Sequence, residues 1–139
     1  MKKSLLLTAL CLLSLNFAYS QARSQLNFGL IGISYDIPVS ENIAISPFAG
    51  TGFDLDWMVI GVKANYYFDN LFGLPDAWDV YGGANGGYGI AIDSGNDSDF
   101  DVGLQVGGRW FWSEKWGLYL ELGGGKLGPT GGLGITMRL

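Results

Sequence analysis

Apolar and polar residues alternate along the segment from Phe100 to Trp112. Its even positions are almost all apolar and end in two tryptophans, whereas its odd positions are mostly polar or small and include Arg109. Successive side chains of a β-strand point to opposite faces, so this segment predicts a strand with one apolar and one polar face. Tryptophans at one end of the apolar face are typical of a strand that meets lipid, with its polar face lining a narrow barrel.

The same period of two predicts seven strands in an all-β domain without linker or internal repeat. They cover residues 25–36, 42–53, 57–68, 78–92, 99–112, 116–124 and 131–139. No helical periodicity of useful length appears between them. The first strand is irregular, because its apolar residues change parity at Leu30-Ile31. A β-bulge at that point would restore the register.

Aromatic residues gather beside three predicted connections, 37–41, 69–77 and 113–115. In an up-and-down array these connections lie at one end, and rings with an apolar body and a polar edge collect at membrane interfaces. The sequence therefore predicts a membrane-interface girdle, and a soluble sandwich gives no reason for one. Its members are Tyr35, Tyr66, Phe68, Trp78, Trp110, Trp112 and Trp116.

The first 20 residues predict a cleavable signal peptide rather than part of the domain. Lys2 and Lys3 precede an apolar run over 5–15, and Ala18-Tyr19-Ser20 supplies small residues for cleavage before Gln21. The apolar run is shorter than the roughly 20 residues of a membrane-spanning helix. The single cysteine, Cys11, lies in this segment, and the preceding Leu10 argues against a lipoprotein site. We expect residues 21–139 to form the exported domain.

Composition removes several classes of function. The chain has no histidine, which excludes Ser-His-Asp and Cys-His catalysis and ordinary histidine-ligated zinc or haem. It carries 13 acidic against 8 basic residues, which argues against nucleic acid as a partner. We expect neither an enzyme nor a cofactor or metal, and a lipid-modifying enzyme is disfavoured by the missing histidine. Glycine (23 residues) and aromatic residues (14%) are abundant, as suits a membrane barrel.

Five charged residues on the predicted polar faces are the candidate site. The first interpretation is a selective pore or an interior binding site. The second is a filled interior in which opposite charges pair, and a barrel of about eight strands is narrow enough for side chains to fill it. We favour the second, with Arg109 pairing Glu121 or Asp79 and interior glycines making room. The predicted interior polar network is Lys63, Asp79, Arg109, Glu121 and Arg138.

Two loop motifs carry less weight. The acidic run over 93–101 resembles a calcium loop, but it lacks the required glycine and has Leu104 where the glutamate belongs, so a solvated hairpin tip is favoured. Weak binding of a divalent cation there is left open. The glycine run ending at Lys126 does not match a phosphate-binding loop.

The chain resembles the small outer-membrane β-barrel proteins of Gram-negative bacteria, the OmpX/OmpA-barrel-like group. The best-matching stretches are K-A-N-Y-Y-F-D-N (63–70), W-D-V-Y-G-G-A-N-G-G-Y (78–88) and G-G-R-W-F-W-S-E-K-W-G-L (107–118). The last strand, G-L-G-I-T-M-R-L, resembles the signal read by the barrel-assembly machinery, although Leu139 stands where an aromatic residue is usual. The resemblance implies an up-and-down antiparallel transmembrane barrel of nominally eight strands, with outer-membrane lipid as its surroundings.

The predicted strand count conflicts with this resemblance, because single-chain bacterial barrels have an even number of strands. A parallel pair between strands one and seven, an overlooked eighth strand, or an N-terminal strand missing from the gene model would each explain seven. The role implied is structural or surface-associated. The alternatives are a soluble exported β-sandwich or lipocalin-like carrier of a hydrophobic ligand, and a narrow pore. The oligomeric state is left open.

Overall fold

A computed structural model describes residues 22–51, 55–92, 99–125 and 128–139 of the chain. It is an all-β fold with a closed, up-and-down antiparallel barrel of eight strands, which confirms the predicted fold class. The predicted signal peptide, residues 1–20 with Cys11, lies outside the described residues. So do most of the acidic run and Lys126.

The strands follow one another around the barrel in chain order, and each pairs with its sequence neighbour. A single helical turn, α1 (Asp69–Phe72), lies between the fourth and fifth strands and ends at Gly73, whose φ of 63° is left-handed. The strands are β1 (Gln25–Gly29), β2 (Gly32–Pro38), β3 (Ile43–Thr51), β4 (Trp57–Tyr67), β5 (Trp78–Ala91), β6 (Asp99–Phe111), β7 (Trp116–Gly125) and β8 (Gly128–Arg138).

The eighth strand lies inside the segment predicted as the first strand, so the predicted count of seven and the predicted bulge were wrong. Residues 25–38 form a hairpin, β1 and β2, in which Phe28 pairs with Ile33 across the two-residue turn Leu30-Ile31. Residues paired across such a turn, such as Phe28 and Ile33, face the same side of the sheet although one has an even number and the other an odd number. A tight turn therefore produces the same change of parity as a bulge.

Neighbouring strands hold this turn in place. The Leu30 N–H donates to the Leu133 carbonyl of β8 at 3.3 Å, and the Ile31 carbonyl accepts from the Thr51 N–H of β3 at 2.8 Å. The turn contains none of the Asn-Gly or Asp-Gly pairs that favour two-residue hairpins. Its conformation is thus fixed by contacts distant in sequence.

The barrel closes through an antiparallel pair between β1 and β8, from Gln25 with Arg138 to Gly29 with Gly134. The alternative of a parallel closure is therefore wrong. The residues just before β1 and just after β8 lie at the same end of the barrel, where the Leu139 N–H donates to the Ser24 carbonyl at 2.9 Å. We call this the terminal end and the opposite one the loop end.

The barrel is polar inside and apolar outside. Among the described residues, the buried side chains are twelve polar or charged ones and five apolar ones. Exposed apolar side chains occur on every strand, one from each being Phe28, Ile33, Ile43, Ile60, Tyr88, Leu104, Leu120 and Leu133. The hydrophobic surface of this fold therefore faces outward. Within the described ranges, no helix is long and apolar enough to cross a membrane.

Candidate functional site

Arg109 on β6 is the centre of a buried polar network in the terminal half of the barrel. One of its terminal nitrogens donates to Asp36 Oδ2 at 2.5 Å and the other to the Tyr67 hydroxyl at 2.8 Å, while its Nε donates to Asn27 Oδ1 at 3.2 Å. The guanidinium also lies 4.3 Å from the ring centroid of Tyr81, within cation–π distance. Strands β1, β2, β4 and β5 each supply one of these four partners, so Arg109 links opposite walls.

Asp36 is held where the β2–β3 ladder is interrupted. Residue pairing skips from Ser34–Phe48 to Ile37–Ile45, at the level of Pro47, which has no N–H to donate. Inside the barrel at this point, the Ser46 hydroxyl donates to Asp36 Oδ1 at 2.6 Å. A side-chain hydrogen bond thus links the two strands where backbone pairing is broken.

Asp79 on β5 connects the centre of the network with the terminal end. Its carboxylate lies 3.8 Å from an Arg109 nitrogen and 3.7 Å from an Arg138 nitrogen. Gln25 Nε2 donates to it at 3.3 Å. Arg138 also stacks over the ring of Phe111, with 3.5 Å between guanidinium and centroid, and donates to the Asp76 carbonyl at 2.7 Å.

A second ion pair joins opposite walls on the loop side of Arg109. Lys63 Nζ on β4 donates to Glu121 Oε1 on β7. The other oxygen of Glu121 accepts a hydrogen bond from the Tyr81 hydroxyl at 2.8 Å. Because Tyr81 contacts both Arg109 and Glu121, it connects the two charged groups.

Three amide side chains form a hydrogen-bonded row across β4, β5 and β6. Asn85 donates to Gln105 Oε1 at 2.7 Å, and Gln105 donates to Asn65 Oδ1 at 2.7 Å. On the β1–β8 side, the Thr136 hydroxyl donates to Asn27 Oδ1 at 2.8 Å. These bonds satisfy polar groups that would otherwise be buried at considerable cost.

Glycines make room inside the barrel in two ways. A Cβ at Gly107 would lie 2.5 Å from both Cζ and Oη of Tyr81, so this glycine gives space to a side chain. A Cβ at Gly83 or Gly134 would instead collide with a carbonyl oxygen of the neighbouring strand, Ala64 or Phe28. Glycine there allows close approach of two backbones in a tightly curved sheet.

All five residues predicted for the interior network face the barrel interior and take part in ion pairs. Arg109 lies beside Asp79, as the sequence suggested, but its shortest ion pair is with Asp36, and Glu121 pairs with Lys63. The sequence analysis missed two partners of Arg109, although the alternation of polar and apolar residues marks both as facing inward. Asn27 stands between Leu26 and Phe28, and Asp36 stands between Tyr35 and Ile37.

Asp69, in α1, is a buried carboxyl group outside the strands. It accepts a hydrogen bond from the Val80 N–H at 2.5 Å. Burial raises the pKa of Asp69 to about 7; this hydrogen bond acts in the opposite direction, and the nearby Asp79 carboxylate adds to the increase. Asp69 is therefore a group whose protonation changes near neutral pH.

The residues of the predicted girdle all lie toward the terminal end, on the outer surface. Phe68 is half-buried and stacks on Phe72 with ring centroids 6.0 Å apart, whereas the other members are exposed. Trp78 and Trp110, on neighbouring strands, are 6.4 Å apart. Near the loop end, Tyr88 and Phe100 form an edge-to-face pair at 5.1 Å.

The chemistry of this interior is that of paired charges. In the described part of the chain, no group of three or more histidine, cysteine or acidic side chains is placed to hold a metal ion. Comparison with protein-family models, with curated proteins and with solved structures found no match for this chain.

Proposed function

We propose that this chain is a small outer-membrane β-barrel protein with a side-chain-filled interior and a structural or surface-associated role. The observation that carries the proposal is the reversed polarity of the barrel. Exposed apolar side chains on all eight strands surround an interior of ion pairs and hydrogen-bonded amides. Such an arrangement suits a hydrocarbon solvent outside and side chains that satisfy one another inside.

The interior supports a filled barrel rather than a narrow pore. Tyr67 and Tyr81 are fully buried with ring centroids 5.7 Å apart, and the neighbouring Arg109 reaches from β6 to Asp36 on β2 across the barrel. Their hydroxyl groups bind other interior side chains instead of lining a passage. A planar lipid bilayer containing the purified protein should therefore show no discrete conductance steps. Regular steps would favour the pore.

The same polarity argues against a soluble carrier of a hydrophobic ligand. Such a carrier needs an apolar cavity and a polar surface, whereas this interior contains Arg109, Asp36 and Asp79. A β-sandwich is not the fold, because the sheet closes on itself.

The proposed surroundings follow from this assignment. Residues 1–20 would direct export, the barrel-assembly machinery would insert the chain, and outer-membrane lipid would contact the apolar surface. Fractionation tests this directly. The mature protein should sediment with the cell envelope and require detergent for extraction, whereas a protein that stays in the soluble fraction would contradict the proposal.

A further inference from the structure

Two large apolar side chains are exposed outside the strands, on the helical turn α1. Leu71 is 74% exposed and Phe72 is 61% exposed, although connections between strands are ordinarily polar. Single exposed apolar residues are common, whereas adjacent ones that join a larger apolar surface mark a contact with a partner or a membrane. We call Leu71 and Phe72 the α1 patch.

Hydrogen bonds to β5 fix the orientation of α1. The Phe68 N–H donates to the Val80 carbonyl at 2.8 Å, and the Val80 N–H in turn donates to the Asp69 carboxylate at 2.5 Å. Asp69 is buried, so this side of α1 is turned toward the barrel. At roughly 100° per residue, Leu71 lies on the opposite side of the turn from Asp69. The hydrogen bonds of the buried side therefore hold Leu71 outward.

Phe68 connects the α1 patch to the outer wall of the barrel. Its ring lies over Gly82 of β5, where an added Cβ would be 3.4 Å from the ring. Gly82 faces outward, because it pairs with the exposed Tyr66 on β4. The Phe68 ring contacts Tyr66 with 5.0 Å between centroids and stacks on Phe72 at 6.0 Å. The three rings thus form a continuous apolar surface from β4 to the α1 patch.

This continuity indicates what covers the α1 patch. Exposed apolar side chains occur on all eight strands, so whatever covers the wall surrounds the barrel. A partner protein or a second copy would cover only one sector, whereas a bilayer covers every side. Aromatic rings at the rim of such a surface lie at the level of the lipid headgroups. The charge-free α1 patch, joined to the rim by Phe68, fits the same surroundings.

We propose that α1 is an interfacial anchor, in which Leu71 and Phe72 insert into the bilayer at the boundary between headgroups and acyl chains. The connection between β4 and β5 is then held against the membrane surface instead of extending into water. Segments that lie in this plane bury their apolar side by about 5–10 Å. The anchor rests on the proposed function, because it requires the girdle to lie at a lipid surface.

Fluorescence quenching of single labelled cysteines tests the anchor, because Cys11, in the predicted signal, is the only native cysteine. Mature Leu71→Cys, Leu120→Cys and Lys115→Cys variants would carry the dye NBD in phosphatidylcholine vesicles. Leu120 is exposed on the wall at β7, and Lys115 is exposed in the β6–β7 connection at the terminal end. The quenchers would be a nitroxide near the top of a lipid acyl chain and iodide on both sides of the membrane.

The label at 71 should be quenched several-fold more strongly than the label at 115 by the lipid nitroxide, and several-fold less by iodide. Equal iodide quenching at 71 and 115 would overturn the anchor. Protection of 71 from both quenchers would show that protein covers the α1 patch, and would overturn it too. Iodide quenching at 120 as strong as at 115 would refute the membrane location, and the anchor with it, whereas strong iodide quenching at 71 with protection at 120 would refute the anchor alone.

A control within the same connection is needed because the dye is itself apolar. Asp76 is also exposed, and its carbonyl accepts a hydrogen bond from Arg138 at 2.7 Å. Labelled Asp76→Cys should behave like Lys115→Cys, and labelled Phe72→Cys should behave like Leu71→Cys. Equal quenching by the lipid nitroxide at 72 and 76 would show that the dye sets the depth, and would contradict the anchor.

Discussion

The Arg109 guanidinium donates to the Asp36 carboxylate at 2.5 Å, although the two residues are 73 positions apart in the chain. Both side chains are only 1% exposed. Their contact joins β6 to β2 across the barrel, at the level where the β2–β3 ladder is interrupted. The pair therefore links two walls of the barrel through its interior.

Replacing Arg109 should be costly. Arg109→Met leaves Asp36 and Asp79 buried without their shared cation, and loss of one partner from a buried ion pair costs about 3–5 kcal/mol. The free energy of unfolding in urea, measured in lipid vesicles, checks this. Arg138→Met is the control, since Arg138 lies at the terminal end and donates to a backbone carbonyl there, so its cost should be smaller.

The double variant Asp36→Asn with Arg109→Met distinguishes loss of the ion pair from a nonspecific loss of stability. Removing the negative charge as well should recover part of the stability lost in Arg109→Met. Strictly additive losses would show that the two side chains do not depend on each other.

The charged network could be predicted from the sequence only in part. The two-residue period places Lys63, Glu121 and Arg109 on inward faces, because each stands between apolar neighbours that face outward. Which charge meets which depends on register and strand number. The apolar turn Leu30-Ile31 concealed a strand, so the sequence alone did not place Asp36 beside Arg109.

The overlooked hairpin has a physical cause. Two-residue turns in sequence are recognised by asparagine, aspartate or glycine in the turn itself. Here the Leu30 N–H instead donates to β8, and the Ile31 carbonyl accepts a hydrogen bond from β3. By contrast, the predicted strands after 42 agree with β3 to β8 apart from shifts at their ends, the largest at β8, which begins at Gly128 rather than at 131. Regular alternation in those segments left little ambiguity.

A pair of matched valines tests whether the outer surface meets lipid. Val106 is 56% exposed on β6, and Val39 is 59% exposed in the β2–β3 connection at the terminal end. Arginine facing the bilayer midplane costs about 2–4 kcal/mol, but about 0–1 kcal/mol near an interface. Val106→Arg should thus reduce stability in vesicles by that larger amount and Val39→Arg hardly at all. Equal tolerance of both changes would point to an aqueous surface.

Adjacent glycines test the packing of the interior. Gly107→Ala would push a Cβ to within 2.5 Å of Tyr81, and overpacking of this kind costs about 1–3 kcal/mol. At Gly108, which faces outward, an added Cβ would lie 3.5 Å from the Asp79 carbonyl oxygen, an ordinary van der Waals distance. Gly108→Ala should therefore be neutral or slightly stabilising in the same unfolding assay. If Gly108→Ala destabilised the protein more than Gly107→Ala, the assignment of inward and outward faces would be contradicted.

Asp69 should make stability depend on pH. Because its pKa of about 7 in the folded chain is above the ordinary 3.8, the folded state binds this proton more tightly than the unfolded state does. Its stabilising contribution is full below about pH 3.8 and is lost as the pH rises toward 7. Between pH 4 and 8, the free energy of unfolding in urea should decline less in Asp69→Asn than in the wild type. Parallel curves would rule out this role.

The proposed membrane location of the barrel is tested most directly by electrophoresis of the cell-envelope fraction before and after boiling. A closed barrel held by hydrogen bonds between all neighbouring strands should resist dodecyl sulfate at room temperature and unfold only on heating. The protein should therefore migrate at two different positions in the unboiled and boiled samples. A single position in both samples, with the protein recovered in the soluble fraction without detergent, would contradict the account.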